Sequence, residues 1–577
     1  MSPFRVWAPA AHGVDLLLGD QRVKMTAERD GWWTVEVEAS AGATYAYSVD
    51  GSEPLPDPRS PWQPDGVFGR SRRVDHSAFS WTDQRWQAPP LSSAVIYELH
   101  IGTFTPEGTF DAAIARLDHL VELGVTHVEL MPVHQFPGAW GWGYDGVDLF
   151  APQNTYGGPD GLKRLVDACH ARGLAALLDV VYNHLGPSGN FLARFGPYFT
   201  DRYSTPWGMA VNLDGPGSDE VRRFICDNAL MWLRDYHFDG LRLDAVHAFM
   251  DMSAIHLLEQ LATEVDALEA QIGRRLTLIA ESDLNDPRLI HSREVGGYGL
   301  SAQWSDDFHH ALHAALTGER DGYYVDFGSL ADLAHAFKRG YVYEGRYSIA
   351  RQRTHGRPTT GLSGHRFVVF TQNHDHVGNR AQGERTAALM SPGRLRVAAA
   401  LVCLAPFIPL LFEGEEWGAS SPFLYFTDHQ DPELAQAVRE GRRHEFLAFG
   451  WSPDHVPDPQ ARESFERSKL PWSELGQEPH ARLYAWYRRL LRLRREAPAL
   501  TDGQLREIVT AYDETAQWFT MTHGPITLAC NLATRAQAVP LGVGAGSTVI
   551  LASEDGISAG RDTVELPPDS VAILRRD

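Results

Sequence analysis

Cysteine is scarce in this chain: four stand among 577 residues, at Cys169, Cys226, Cys403 and Cys530, with no two close in sequence. So sparse a set excludes a disulfide framework and a Cys-liganded metal centre, and its apolar or helical surroundings predict buried free thiols. The HExxH pattern is missing as well, so no catalytic metal and no cofactor are expected. Long apolar runs are absent; none approaches the roughly 18 residues of a membrane-spanning helix. The opening MSPFRVWAPA lacks the apolar core of a secretory leader, which makes the cytoplasm the expected compartment. Basic residues are outnumbered, 52 against 74 acidic, and the resulting charge of −22 repels phosphate backbones and anionic lipid surfaces. Nucleic acid and membrane are therefore excluded as partners, and a neutral ligand is favoured.

What the chain has in quantity is aromatic surface, 16 Trp and 19 Tyr, whose flat faces stack on sugar rings as well as fill cores. From Phe4 to about Val74, short alternating runs separated by Gly and Asp turns predict an antiparallel β-sandwich. Prolines between Pro54 and Pro64, and again at Pro89-Pro90, predict a stiff exit from it, so residues 1–90 are read as a first unit. Residues 91–500 then alternate apolar runs with amphipathic helices, the pattern of an α/β protein built as a (β/α)8 barrel. Strands are expected at Ala94 to Phe104, Val125 to Val133, Leu174 to His184, Phe238 to Leu243, Leu276 to Ser282, Ser301 to Phe308, His365 to Asp375 and Ile408 to Glu416. Residues 184–216 read as a long irregular loop insertion, and Ser218 as the N-cap of the helix that follows it. Residues 501–577 return to short β runs, a second sandwich.

The chemistry concentrates in DGLRLDAVHAF, residues 239–249. Asp244 falls at the C-terminal end of the fourth strand, where a parallel barrel exposes its reactive groups, and Arg242 points the same way from a strand of period two. An Arg and Asp two apart are, taken alone, more often a surface ion pair. Two more carboxyl groups at strand ends change that reading: Glu281 after LTLIA, and Asp375 in QNHDHVGN. Retaining cleavage of a glycosidic bond needs one ionised carboxylate as nucleophile and one protonated carboxyl as acid and base. Asp244 beside a guanidinium suits the first part, and Glu281, desolvated near negative charge, suits the second. Asp375 is assigned to sugar hydroxyls in the distorted ring, with Asn373 supporting it. Asp179, Asn183 and His184 in DVVYNH are read as support and as a hydroxyl donor at the tip of strand three.

DVVYNH, GLRLDAVHA, Glu281 in LIAESDL, and QNHDHVGN resemble, in order, the four signature regions of the α-amylase family of (β/α)8 glycoside hydrolases. Matched residue by residue, the resemblance implies Asp244 as nucleophile, Glu281 as acid/base and Asp375 as third carboxylate. It also implies substrate contacts by His184, Arg242 and His374, with Tyr144 stacked beneath the ring at the cleaved sugar. WGWGYDGVDLFAPQNTYGGPDGL, IAESDLNDPRL and AQWSDDFHHALH are similar to a trehalose-releasing branch of that family. Such enzymes hydrolyse the α-1,4 bond next to the terminal trehalose of maltooligosyl trehalose, and a maltooligosyl trehalose synthase is the functional partner this implies. One departure bears on specificity: His247 and Ala248 stand where many amylases carry a Lys-His pair. His247, Asp283 and Asn285 are accordingly expected on the leaving-group side. The first unit resembles a starch-related module, in which only one of Trp32 and Trp33 is free to be a sugar platform if both lie on a strand. A glycogen branching enzyme and a non-catalytic glucan-binding protein are the competing readings.

Overall fold

The computed structural model describes residues 3–447, 456–542 and 546–576. Its centre is a closed barrel of eight parallel strands: β1 (Ile96–Leu99), β2 (His127–Leu130), β3 (Ala175–Val180), β4 (Gly240–Leu243), β5 (Thr277–Ala280), β6 (Ala302–Trp304), β7 (Phe367–Phe370) and β8 (Ile408–Phe412). Each strand pairs with its neighbour in sequence, and β8 closes on β1. Every residue of the eight is buried, which is why they read as continuous apolar runs rather than alternating ones.

The strands are shorter than the apolar text that carries them. After β1, His100 starts a helical turn, Ile101–Phe104. After β6, Ser305 caps the helix Asp306–Thr317, its side chain accepting from the Phe308 amide. After β7, Asn373 caps the short helix His374–Gly378, so Asp375 stands on a helical turn and not at a strand end. Small polar residues that cap helices end these strands, a signal the apolar periodicity overrides when read alone.

The barrel also departs from a strict strand-helix alternation. Among the described residues, the return from β5 to β6 contains no α-helix, only the 3-10 turns Pro287–Leu289 and Arg293–Val295. The insertion at 184–216 is more ordered than expected: it holds the helical turn Leu192–Phe195 and the hairpin Phe199–Thr205 with Gly208–Val211, its tip carrying the exposed Trp207. Ser218 is the first residue of the helix Ser218–Arg234 and makes no capping bond; Gly217, at φ +80°, is the N-cap, a conformation suited to glycine.

The first unit folds as a three-stranded sheet against a four-stranded one. Trp33 is buried and donates to the Ala8 carbonyl. Trp32 is half-buried against the core, with the Arg5 guanidinium over its ring at 4.8 Å and Arg59 5.7 Å away. Arg59 also bonds Asp227 of the barrel helix at 2.8 Å, which ties the two units together. At the C-terminal end, a five-stranded antiparallel sheet is accompanied by a two-stranded ribbon. Arg394 of the barrel helix Pro392–Cys403 reaches Asp569 between its last strands. The four cysteines are free and buried.

Candidate active site

Asp244 and Glu281 extend the ladders of β4 and β5 by one residue, Asp244 N donating to the Val180 carbonyl and Glu281 N to that of Leu243. Adjacent parallel strands thus fix the two carboxyl groups side by side. Asp244 Oδ1 accepts from Arg242 Nη1 at 2.7 Å, and Oδ2 accepts from Asn183 Nδ2 at 2.7 Å. The same Nη1 holds both oxygens of Asp179, at 3.0 and 2.8 Å, while Nη2 lies 3.9 Å from Glu281. Arg242 is fully buried with its guanidinium 4.3 Å from the Trp304 ring centre. One cation therefore serves three carboxyl groups.

Glu281 Oε2 accepts from the Ala245 amide at 2.5 Å. Ala245 holds a left-handed backbone, φ +41°, immediately after Asp244, and this turn delivers the amide. Burial raises the Glu281 carboxyl above its usual range, with Asp244 and Asp375 adding to the rise and Arg242 and His247 opposing it. Asp375 is open on one side, its side chain 47% exposed, with His374 Nε2 at 3.6 Å and Asn379 Nδ2 at 3.2 Å.

Beneath the three carboxyl groups runs a chain of charged hydrogen bonds. His374 engages both oxygens of Glu98 through its backbone N–H and Nδ1, at 3.0 and 2.5 Å. Its Nε2 lies 2.8 Å from the Tyr144 hydroxyl, which donates to Asp179 at 2.5 Å, and the Tyr144 and His374 rings stack at 5.2 Å. Burial lowers the His374 imidazole, but Glu98 and Asp375 outweigh it and bring it up to about 9. A histidine raised on folding stabilises most below its unfolded value, and that contribution disappears as pH climbs through the folded one. Conformational stability is therefore expected to fall between pH 6.5 and about 9, a slope that His374→Gln should flatten in urea titrations. An unchanged slope in the variant would remove His374 from that role.

His184 bonds Asn183 through Nδ1 and stacks on Trp207 at 4.6 Å and 4°; burial pushes its imidazole down, so it is neutral at neutral pH. Asn373 Oδ1 accepts from the backbone N and Nδ1 of His376 at 3.0 and 2.7 Å, holding the turn that carries Asp375.

Beside Glu281, a cavity of about 440 Å3 is lined by residues that include Glu281, Asp283, Trp304, Asp306, Tyr323, Arg351 and Asp375. Asp283 pairs with Arg351 at 2.8 Å, and its carbonyl lies 2.7 Å from His355 Nε2. Arg351 sits at the turn of the ribbon Glu344–Ser348 with Arg353–Gly356, and His355 on its second strand. Burial acts against the Asp283 carboxylate, while His247, Arg351 and His355 prevail and lower its pKa. His247 is half-buried and faces both Asp283 and Glu281. Asn285 is different: it is buried, at φ +51°, and its amide donates to Asp307 Oδ2 at 2.7 Å. Its side chain braces the wall and does not face the cavity, contrary to the sequence expectation.

Several groups escaped sequence reasoning. Glu98 was detectable as a lone acid inside the apolar run of β1, and Asp306 as one of two adjacent acids opening a helix. Trp207, Tyr323 and Arg351 lie on connections whose path no local pattern specifies. Among the described residues, the one trio of His, Cys, Asp or Glu with ligand atoms all within 4.8 Å is Asp502, Glu507 and His523, outside this cleft. No helix among them is long and apolar enough to cross a membrane.

Comparison with known proteins agrees with this geometry. Residues 68–198 match the alpha amylase catalytic domain, 2–63 match carbohydrate-binding module 48 (isoamylase N-terminal domain), and 504–573 match a domain of unknown function. The malto-oligosyltrehalose trehalohydrolase of Arthrobacter ramosus is 52% identical over 99% of both chains. The chain belongs to the malto-oligosyltrehalose trehalohydrolase family. The Mycobacterium tuberculosis H37Rv trehalohydrolase is 50% identical over 100% of this chain and 99% of its own. A crystal structure of an alpha amylase candidate from Salmonella typhimurium superposes with a TM-score of 0.91 at 39% identity, covering 99% of this chain and 97% of that one. Agreement with the trehalohydrolases thus extends through the module, the barrel and the C-terminal sheet.

Proposed function

We propose that this protein hydrolyses the α-1,4-glucosidic bond next to the terminal trehalose of maltooligosyl trehalose, releasing trehalose and a maltooligosaccharide with retention at the cleaved carbon. The observation that carries the chemistry is the pairing of two unlike carboxyl groups on adjacent strands. Asp244 is held on both oxygens by Arg242 and Asn183, and Glu281 is kept above the usual carboxyl range. Asp244 attacks the anomeric carbon while Glu281 passes its proton to the departing trehalose oxygen; Glu281 then takes a proton from water as the glycosyl-enzyme is hydrolysed. Asp375, open to the cleft, hydrogen-bonds ring hydroxyls as charge develops in the transition state. Neutral His184 donates to a hydroxyl of the same sugar, and the exposed face of Tyr144 supports its ring. The cavity beyond Glu281 receives the trehalose, with Asp283 and His247 on its wall.

In this reading residues 1–90 are the N-terminal module, 91–500 the catalytic (β/α)8 barrel and 501–577 a C-terminal β-sandwich. The enzyme works in the cytoplasm, downstream of a synthase that makes the trehalosyl end. Incubation with maltooligosyl trehalose, and separately with the matching maltooligosaccharide, tests the assignment by chromatography of the products. Free trehalose from the first, with much slower cleavage of the second, is expected. Equal cleavage of both would make the protein an amylase, and new α-1,6 linkages would make it a branching enzyme.

A further inference from the structure

The wall beyond Glu281 contains a carboxyl group that this mechanism leaves unused. Asp306 and Asp307 follow β6 together at the start of one helix, and the structure treats them oppositely. Asp307 is buried, its Oδ2 taking hydrogen bonds from Asn285 Nδ2 and from the backbone amides of Val342 and Tyr343, at 2.7, 2.6 and 2.7 Å for Asn285, Val342 and Tyr343 respectively. Three donors make it a structural anchor. Asp306 is half-buried, opens into the cavity shared with Glu281, Asp283 and Asp375, and makes no hydrogen bond or ion pair with another described residue.

A carboxyl group that no protein group engages is free to meet a ligand that enters the cavity. Burial pushes the Asp306 carboxyl well above its usual range, and Glu281, Asp375, Asp283 and Asp307 push it further. A carboxyl group on this wall can hydrogen-bond a hydroxyl through either of its oxygens. Its neighbour Asp283, by contrast, is already engaged with Arg351 at 2.8 Å. A disaccharide brings hydroxyl oxygens that need donors as well as hydroxyl protons that need acceptors. The cavity of about 440 Å3 falls in the ordinary range for small-molecule sites, roughly 300–1,000 Å3.

We infer that Asp306 is a specificity-determining residue on the leaving-group side, its carboxyl group hydrogen-bonding a hydroxyl of the trehalose unit in the cavity it shares with Glu281, Asp283 and Asp375. The inference rests on the trehalose-releasing reading above. It assigns Asp306 to product and substrate binding and leaves proton transfer to Glu281.

The test compares Asp306→Leu, which fills similar space without hydrogen bonding, with Asp306→Asn, which keeps a hydrogen-bonding group. Each full-length variant is assayed on maltooligosyl trehalose and on an aryl α-maltooligoside, whose leaving group has no sugar hydroxyl, and trehalose is titrated as product inhibitor. Asp306→Leu is expected to lose about 10- to 100-fold in kcat/KM on maltooligosyl trehalose, the size of one lost buried hydrogen bond to a polar partner. Inhibition by trehalose should weaken in parallel, hydrolysis of the aryl substrate should change little, and Asp306→Asn should restore most of the loss. Equal losses on both substrates, or undiminished inhibition by trehalose in the Leu variant, would overturn the inference while leaving the enzyme a trehalohydrolase. A wild-type chain that releases no trehalose overturns the functional reading itself. Should Asp306→Leu fail to fold, Asp306→Ala carries the same comparison against Asp306→Asn.

Discussion

Replacing Asp244 with Asn is expected to lower the rate of trehalose release by about 10⁴-fold or more, while the thermal unfolding midpoint moves by only a few degrees. The substitution keeps the shape of the side chain and one oxygen, so either Arg242 or Asn183 retains an acceptor, but the group can no longer form a bond to the anomeric carbon. Arg242 remains paired with both oxygens of Asp179 at 3.0 and 2.8 Å, so the buried cation is not left alone. Steady-state kinetics on maltooligosyl trehalose beside differential scanning calorimetry separates the two effects. Near-normal turnover would remove Asp244 from the nucleophile's role, and a collapse of the unfolding midpoint would make its contribution structural first.

Arg242→Met should cost much more in stability, about 3–5 kcal/mol, because it removes the cation from a buried ionic cluster and leaves the anions behind. Asp179, Asp244 and Glu281 all lie within 4 Å of that one guanidinium, and no other cation is bonded to Asp179 or Asp244 among the described residues. Burial already raises Asp179 to about 7 with the Arg in place. Urea unfolding of Arg242→Met is expected to show the loss, and adding Asp179→Asn should recover part of it, since one uncompensated charge is then gone. If the double variant were as unstable as the single, the loss would come from packing against Trp304 and not from charge.

Much of this architecture was legible because burial on both faces of the barrel strands writes continuous apolar runs into the text, and a reactive carboxyl group stands directly after two of them. Asp244 and Glu281 needed only that pattern. Asp375 was found for its neighbours, while its position on a helical turn depended on Asn373 acting as a cap, which apolar periodicity does not register. Asn285 misled in a different way: its polarity and its place after Glu281 pointed to the substrate, whereas a left-handed backbone and the buried Asp307 turn it into the wall. Which of Trp32 and Trp33 stays open could not be read locally, because nothing foretells that Arg5, 27 positions earlier, lies across the Trp32 ring. In each case the missing information was a contact between distant parts of the chain.

The segment after β5 lacks an outer helix, and what steadies it is the ribbon at 344–356. Arg351 grips Asp283, His355 meets the Asp283 carbonyl, and just beyond the ribbon the backbone N–H of Arg357 donates to the Asn285 carbonyl. Asp244 and Glu281 are set by barrel strands alone, whereas Asp283 on the cavity wall is held by a ribbon outside the barrel. A change in the ribbon therefore reshapes the wall beyond Glu281 while the barrel strands stay as they are.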